Sequence, residues 1–252
     1  MLAIERKKLI LEQLQRDKKV IVSDLAKAFD VTEETIRRDL EKLEAEGFAQ
    51  KIYGGAVLRE SFNVDLPYAV RKRSNVADKQ YIAGIISDMI QDGDTIMLDA
   101  SSTALFVAQN IKSKKNITVI TNSIEIICEA SDRSSWKVIS TGGYLKEGAL
   151  SLVGVQATKT LSNYHVDLAI FSCKGISIDH GLTDSNENDA EIKKAVIAAS
   201  HRKILAVDHS KFEIVSFVGV AGFDDIDLVV TDQKPDDSWC EFFSKKQIEL
   251  TF

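Results

Sequence analysis

Residues 22–58 read VSDLAKAFDVTEETIRRDLEKLEAEGFAQKIYGGAVL, and their punctuation decides the fold of the N-terminal part. Ser23 is placed to cap a helix over residues 24–29, and Asp30-Val31 makes a tight turn. Thr32 then caps a further helix in which Ile36, Leu40 and Leu43 recur at i, i+4 and i+7. Glu33 and Glu34 fall in its first turn, where carboxylates favour the helix dipole. Gly47 stands where that helix should stop. Residues 48–58 predict two short strands around Gly54-Gly55, a β-hairpin. Upstream, residues 5–15 (ERKKLILEQLQ) place Leu9, Ile10, Leu11 and Leu14 on one side of a first helix, and Val20-Ile21-Val22 is a short β-like run. Three helices and a hairpin over residues 1–58 fit a winged helix-turn-helix.

In such a module the helix after Thr32 enters the DNA major groove. Its inward positions leave Thr32, Glu33, Thr35, Arg37 and Arg38 on the outer face, with the arginines in reach of bases or phosphates. The hairpin brings Lys51 and Tyr53 to the DNA backbone, and Gly54 permits close approach. The plain alternative is a three-helix interaction module whose arginines form a solvated face. However, VTEETIRRDLEKLEAEG and the YGGA hairpin closely resemble the DNA-binding domain of DeoR-type bacterial transcriptional regulators. That family usually carries a His where Tyr53 stands, a departure that touches one backbone contact.

Beyond the hairpin, residues 59–75 are polar, contain Pro67 and lack periodicity, which predicts a linker. From 76 to 252, strand-like runs at 95–98, 117–120, 137–139, 168–171, 204–207 and 228–230 alternate with helical patterns near 76–91, 102–111, 123–130, 154–162 and 188–201. That alternation predicts an α/β domain with a mostly parallel sheet covered on both faces. Charge divides likewise. Residues 1–75 hold 15 Lys/Arg and 13 Asp/Glu, whereas residues 76–252 hold 17 and 25. An acidic chain overall (net −6) thus keeps a slightly basic front end, and phosphate binding depends on local charge.

In an open parallel sheet, ligands bind beyond the carboxyl ends of the strands. Three predicted strand ends carry small polar residues: Asp99 with Ser101, Ser102 and Thr103; Thr121, Asn122 and Ser123; and Thr141 with Gly142 and Gly143. Hydroxyls at a helix N-terminus also suit an anion, although each of these loops alone reads equally as a helix cap. In order, D-x-SST, TNS, TGG, GLTDSNENDAEIKKAVI (181–197) and VDHSKF (207–212) resemble the effector domain of the same DeoR family, which is related to ribose-phosphate isomerases and CoA-transferases. The resemblance covers roughly residues 1–232. It implies a pocket for a phosphorylated sugar, with Ser101, Ser102 and Thr103 on the phosphate and Asp99 and Asn122 on sugar hydroxyls. It also implies backbone approach at Gly142 and Gly143 and a positive charge from Lys211, with Lys193 and Asp184 as further candidates. Where many members have Asp or Asn, this chain has Lys174, a cation for a second anionic group or a partner for Asp184.

The expected function is therefore a DNA-binding regulator of carbohydrate genes, a repressor controlled by a sugar phosphate and acting as a homo-oligomer, dimer or tetramer. One rival is an isomerase fused to a DNA-binding domain, which needs a carboxylate base; Asp99 and Asp184 are the nominees. Another is a ligand-free scaffold. Assaying aldose–ketose interconversion separates the first two. No catalytic residue, cofactor or metal is expected: no P-loop, GxSxG or GxGxxG occurs, and His165, His180, His201 and His209 show no HxxxH spacing. Three scattered cysteines predict neither disulfide nor zinc site, and Cys173 reads as a buried strand-end residue despite neighbouring Lys174. Without a membrane-length apolar run or a signal-peptide pattern, a soluble cytoplasmic protein is expected.

Overall fold

A computed structural model describes residues 2–46, 48–58, 67–132 and 135–252. The chain divides into two compact units, Met1–Ser74 and Asn75–Phe252.

The first unit runs α1 (Ala3–Asp17), β1 (Lys19–Ile21), α2 (Val22–Phe29), α3 (Glu33–Ala45), β2 (Ala49–Ile52), β3 (Gly55–Leu58) and α4 (Tyr68–Arg73). Its core joins Ile10, Leu11 and Leu14 of α1 to Leu25, Ile36, Leu40 and Leu43. Leu9, expected inside, is 37% exposed. The place facing α3 goes instead to Arg6, whose Nε meets Asp39 Oδ2 at 2.6 Å with both side chains buried. Thr32 caps α3 as predicted, its hydroxyl accepting from the Thr35 amide. Ser23 does not cap α2. That helix starts two residues earlier, because β1 runs to Ile21 in its ladder with β3 and the Val22 amide donates to Gly54 O. The expected stop at Gly47 lies outside the described residues.

The hairpin turns on Tyr53-Gly54, one residue before the Gly-Gly pair, with Ile52 opposite Gly55. Gly54 adopts φ +79°, and Gly55 lies against β1, where a Cβ would sit 2.1 Å from Val20 O. The two glycines thus serve a turn and a close strand contact respectively. In the predicted linker, residues 59–66 lie outside the described residues, and Tyr68–Arg73 is helical. Tyr68 and Val70 of α4 are buried: Val70 joins the first unit's core, and Arg73 reaches Glu12 at 2.7 Å.

The second unit contains α5 (Val76–Met89), β4 (Thr95–Leu98), α6 (Ser102–Asn110), β5 (Thr118–Thr121), α7 (Ile124–Ala130), β6 (Lys137–Ser140), β7 (Tyr144–Lys146), β8 (Ser151–Val153), α8 (Val155–Leu161), β9 (Val166–Phe171), β10 (Gly175–Ser177), β11 (Gly181–Asp184), α9 (Glu187–Ala198), β12 (Ser200–Ala206), β13 (Val218–Ala221), β14 (Leu228–Val230), α10 (Asp237–Lys246) and β15 (Glu249–Thr251). Seven strands form one sheet in the order β15-β14-β12-β9-β4-β5-β6, every neighbouring pair parallel. Both faces are buried. Met97, Ile120, Phe171, Leu205 and Val229 enter the core shared with α8, α9 and α10. Their strand neighbours Ile96, Val119, Ile170, Ile204 and Leu228 are equally buried but lie outside that cluster, as side chains alternating across a doubly covered sheet must. The small antiparallel groups β7-β8 and β10-β11-β13 are additions to the predicted scheme. Because all seven strands point the same way, their carboxyl ends and the loops after them form a single rim.

Candidate functional site

On α3, Arg37 and Arg38 are exposed on the face away from Ile36, Leu40 and Leu43. Each is held by the carboxylate one turn earlier: Arg37 by Glu33 at 2.6 Å and Arg38 by Glu34 at 3.3 Å. Exposed i, i+4 pairs contribute only a few tenths of a kcal/mol, so an incoming phosphate can displace them at little cost. Thr32 and Thr35 share a hydroxyl contact of 2.9 Å at the helix start. Lys51 is pinned to α3: its amide donates to Glu44 and its Nζ meets Glu41 at 2.8 Å. Tyr53 is fully exposed at the hairpin tip beside Gly54. The structure therefore brings Glu33, Arg37, Arg38 and Lys51 onto one charged surface, with Tyr53 beyond it.

In the second unit, the nominated loops follow β4, β5 and β6 and share the carboxyl rim. Ser101 caps α6 by accepting from the Ala104 amide, and Ser123 caps α7 through the Ile126 amide. Thr121 donates to Leu98 O and accepts from the Ser123 amide, tying two adjacent loops together. These three hydroxyls shape the rim. Ser102 and Thr103 differ. Both are buried, yet their hydroxyls make no hydrogen bond among the described residues, and their amides, in the first turn of α6, have no intrahelical acceptor. Two hydroxyls and two amides at a helix N-terminus form an anion cradle.

Asn122 donates through Nδ2 to Leu152 O. Gly142 and Gly143 both have positive φ. At Gly143 a Cβ would lie 2.4 Å from Val153 O, so that glycine is required by the β7-β8 hairpin; at Gly142 nothing lies closer than 3.9 Å, and its backbone is open.

The charged centre is Lys193, one of the two further candidates. Its Nζ lies 2.9 Å from Asp184 and 3.6 Å from Asp99. Burial alone would lower its pKa, but Asp184, Asp99 and Asp189 outweigh it and hold the ammonium charged. Asp99 is sealed from solvent and accepts from the Ser101 and Ser172 amides; burial pushes its carboxyl above the usual range, against the pull of Lys193. Burial pushes Asp189 up as well, but Lys193 and Lys146 win and hold it below, Lys146 at 2.6 Å. Asp184 is in contact with Lys193, and the Lys174 amide donates to Thr183 O. Burial, then the charge of Asp184, raises the Cys173 thiol to about 12, which leaves it protonated and inert.

Lys211 follows β12 in a short 3₁₀ turn headed by Asp208. Burial raises the Asp208 carboxyl, but Lys211 and the Ser210 hydroxyl bring it below its usual value. Lys211 itself makes no ion pair within 4 Å among the described residues, so its charge remains available on the rim.

Among the described residues, no helix is long and apolar enough to cross a membrane. Residues 74–233 match the DeoR C terminal sensor domain, and residues 6–62 match the DeoR-like helix-turn-helix domain. The chain is 39% identical over its whole length to the uncharacterized HTH-type transcriptional regulator YulB of Bacillus subtilis, covering 97% of that protein. It is 32% identical to the HTH-type transcriptional repressor GlcR of the same organism, over 98% of this chain and 95% of that one. Among solved structures it is similar to a ribose 5-phosphate isomerase from Plasmodium falciparum, with 20% identity, a TM-score of 0.39, and 53% and 52% of the two chains covered. With both domain models matched in order and relatives that align end to end, the chain belongs to the DeoR family of helix-turn-helix transcriptional regulators.

Proposed function

We propose that the chain is a cytoplasmic repressor of carbohydrate genes that releases its operator when the second unit binds a phosphorylated sugar. The observation that carries the effector class is the cradle at the start of α6, where Ser102 and Thr103 are largely buried but their hydroxyls remain accessible and make no hydrogen bond among the described residues. A phosphate there receives two hydroxyls and two amides, with Lys211 balancing its charge and Asn122 and the Gly142 backbone meeting the sugar. Asp99 holds the loop in place by accepting from Ser101 and Ser172. The name of the relative GlcR supports repression, and the loss of operator affinity follows if the effector binds the DNA-incompetent state more tightly.

A panel of sugar phosphates, tested by thermal shift and then calorimetry, identifies the effector. Lys211→Ala is expected to weaken its binding about ten- to a hundredfold, since a hydrogen bond to a charged group contributes about 1.5–3 kcal/mol. Equal affinity for the phosphorylated and free sugar overturns the assignment.

On the DNA side, residues 1–58 carry the reading surface, and two copies read paired half-sites, because one winged helix buries only about 600–1,000 Å² on DNA. Arg38→Ala is expected to cost about 1–3 kcal/mol of operator binding while leaving effector affinity unchanged. A mobility shift on a DNA fragment that the wild-type protein selects from random sequence measures it. Unchanged retardation removes Arg38 from the interface, and sedimentation as a monomer both free and on that fragment removes the paired half-sites.

A further inference from the structure

The same carboxyl rim carries a second cluster whose chemistry the effector pocket does not use. Asp78 lies in the first turn of α5, His209 in the turn after β12, and Asp232 just beyond β14. One donor atom from each falls within 4.8 Å of the other two. His209 Nδ1 stands 2.7 Å from Asp232 Oδ2 and 3.9 Å from Asp78 Oδ2. The triad is held from behind, since the His209 amide donates to the other Asp232 oxygen at 2.6 Å. Asp232 is almost wholly buried, whereas His209 is half exposed, so solvent reaches the cluster from one side.

We infer that Asp78, His209 and Asp232 form a binding site for a divalent first-row cation of the manganese type, separate from the effector cradle. Three arguments carry it. First, the donors come from three elements and converge. Around an octahedral ion with bonds of about 2.1 Å, cis ligands lie about 3 Å apart and trans ligands about 4.2 Å, so the observed spacings need only a small rotation of the Asp78 side chain. Second, two carboxylates share one imidazole nitrogen, so that two anionic donors and one neutral donor meet at a single point. Third, one imidazole with two carboxylates is a mixed nitrogen–oxygen set suited to manganese and its neighbours, and the exposed side leaves positions for water. A bound ion ties the loop carrying Lys211 to the start of α5, beside the bond already made there by Asn75 Nδ2 to Asp208 at 3.1 Å.

Manganese is the probe, because the exposed Cys128 thiol competes for softer metals. The full chain, stripped with chelator and free of effector, is titrated with Mn²⁺ while the electron paramagnetic resonance signal of the free ion is followed. Saturable uptake of one ion per chain is expected. Asp78→Asn and His209→Gln should each weaken it at least tenfold, with unchanged circular dichroism and unfolding temperature in metal-free buffer. No saturable uptake overturns the site and leaves a simple histidine–carboxylate hydrogen bond. Uptake that neither substitution alters overturns it too, by placing the ion elsewhere. Neither result bears on the sugar-phosphate reading, which calorimetry in chelator tests independently.

Discussion

Asp39→Ala is expected to destabilise the first unit by about 3–5 kcal/mol, the penalty of leaving a buried charge without its partner. Arg6 and Asp39 are both buried, and their contact of 2.6 Å joins α1 to α3 across the core. Truncating the aspartate strands the guanidinium where water cannot replace the carboxylate. For a unit of this size that is a large share of total stability, so urea unfolding followed by circular dichroism should show an early transition absent from the wild type. A second pair of substitutions makes the test sharper. Arg6→Met with Asp39→Leu replaces both charges by apolar groups, an exchange that is often neutral or stabilising, and should restore the transition. It should also restore operator binding, because Asp39 acts by orienting α3 and touches no DNA. Stability within about 1 kcal/mol of wild type in Asp39→Ala overturns the first claim. A stable double variant that no longer binds operator overturns the second.

That ion pair also marks what the sequence could not disclose. Ile36, Leu40 and Leu43 announced the inner face of α3 by their spacing, and Thr32 announced its start. Arg6 and Asp39 are 33 positions apart, and a charge on a helix reads by default as solvated. Nothing local distinguishes Asp39 from Glu41, which is exposed. Six of the seven parallel strands were legible as apolar runs. The last, Glu249–Thr251, is three residues long and opens on a glutamate, so only its neighbour β14 defines it. For α10 the signal was present in Trp239 and Phe243 at i, i+4, both buried. The rim loops were legible because strand ends, caps and small polar residues coincide. The cluster at Asp78, His209 and Asp232 was not, since its members are joined only by the sheet's topology and show no ligand spacing.

Lys193 belongs with the illegible residues for a related reason, and its removal is the other large effect. It stands beside Lys194, which is exposed and pairs with Glu191; their two directions are separable only through Ala190 and Ile197, the buried residues three before and four after Lys193. Lys193→Met strands Asp99 and Asp184, while Asp189 keeps Lys146. At neutral pH the expected cost is about 3–5 kcal/mol, read as an earlier urea midpoint for the second unit. Its pH dependence identifies the cause. Burial already raises the Asp99 carboxyl, and without the ammonium it rises further above the unfolded value of about 3.9. The folded variant then binds more protons than the unfolded chain, so its stability falls as pH rises through the folded pKa and recovers as pH drops toward about 4. The gap to wild type should therefore be smaller at pH 5 than at pH 7. A gap equal at both values would mean that the loss is one of packing around the lysine stem. Adding Asp99→Asn and Asp184→Asn removes the stranded charges and should restore stability at pH 7. If that triple variant is stable yet blind to the effector, the carboxylates and Lys193 contribute to recognition as well as to folding; if it still binds, the cluster serves only to hold the rim in shape.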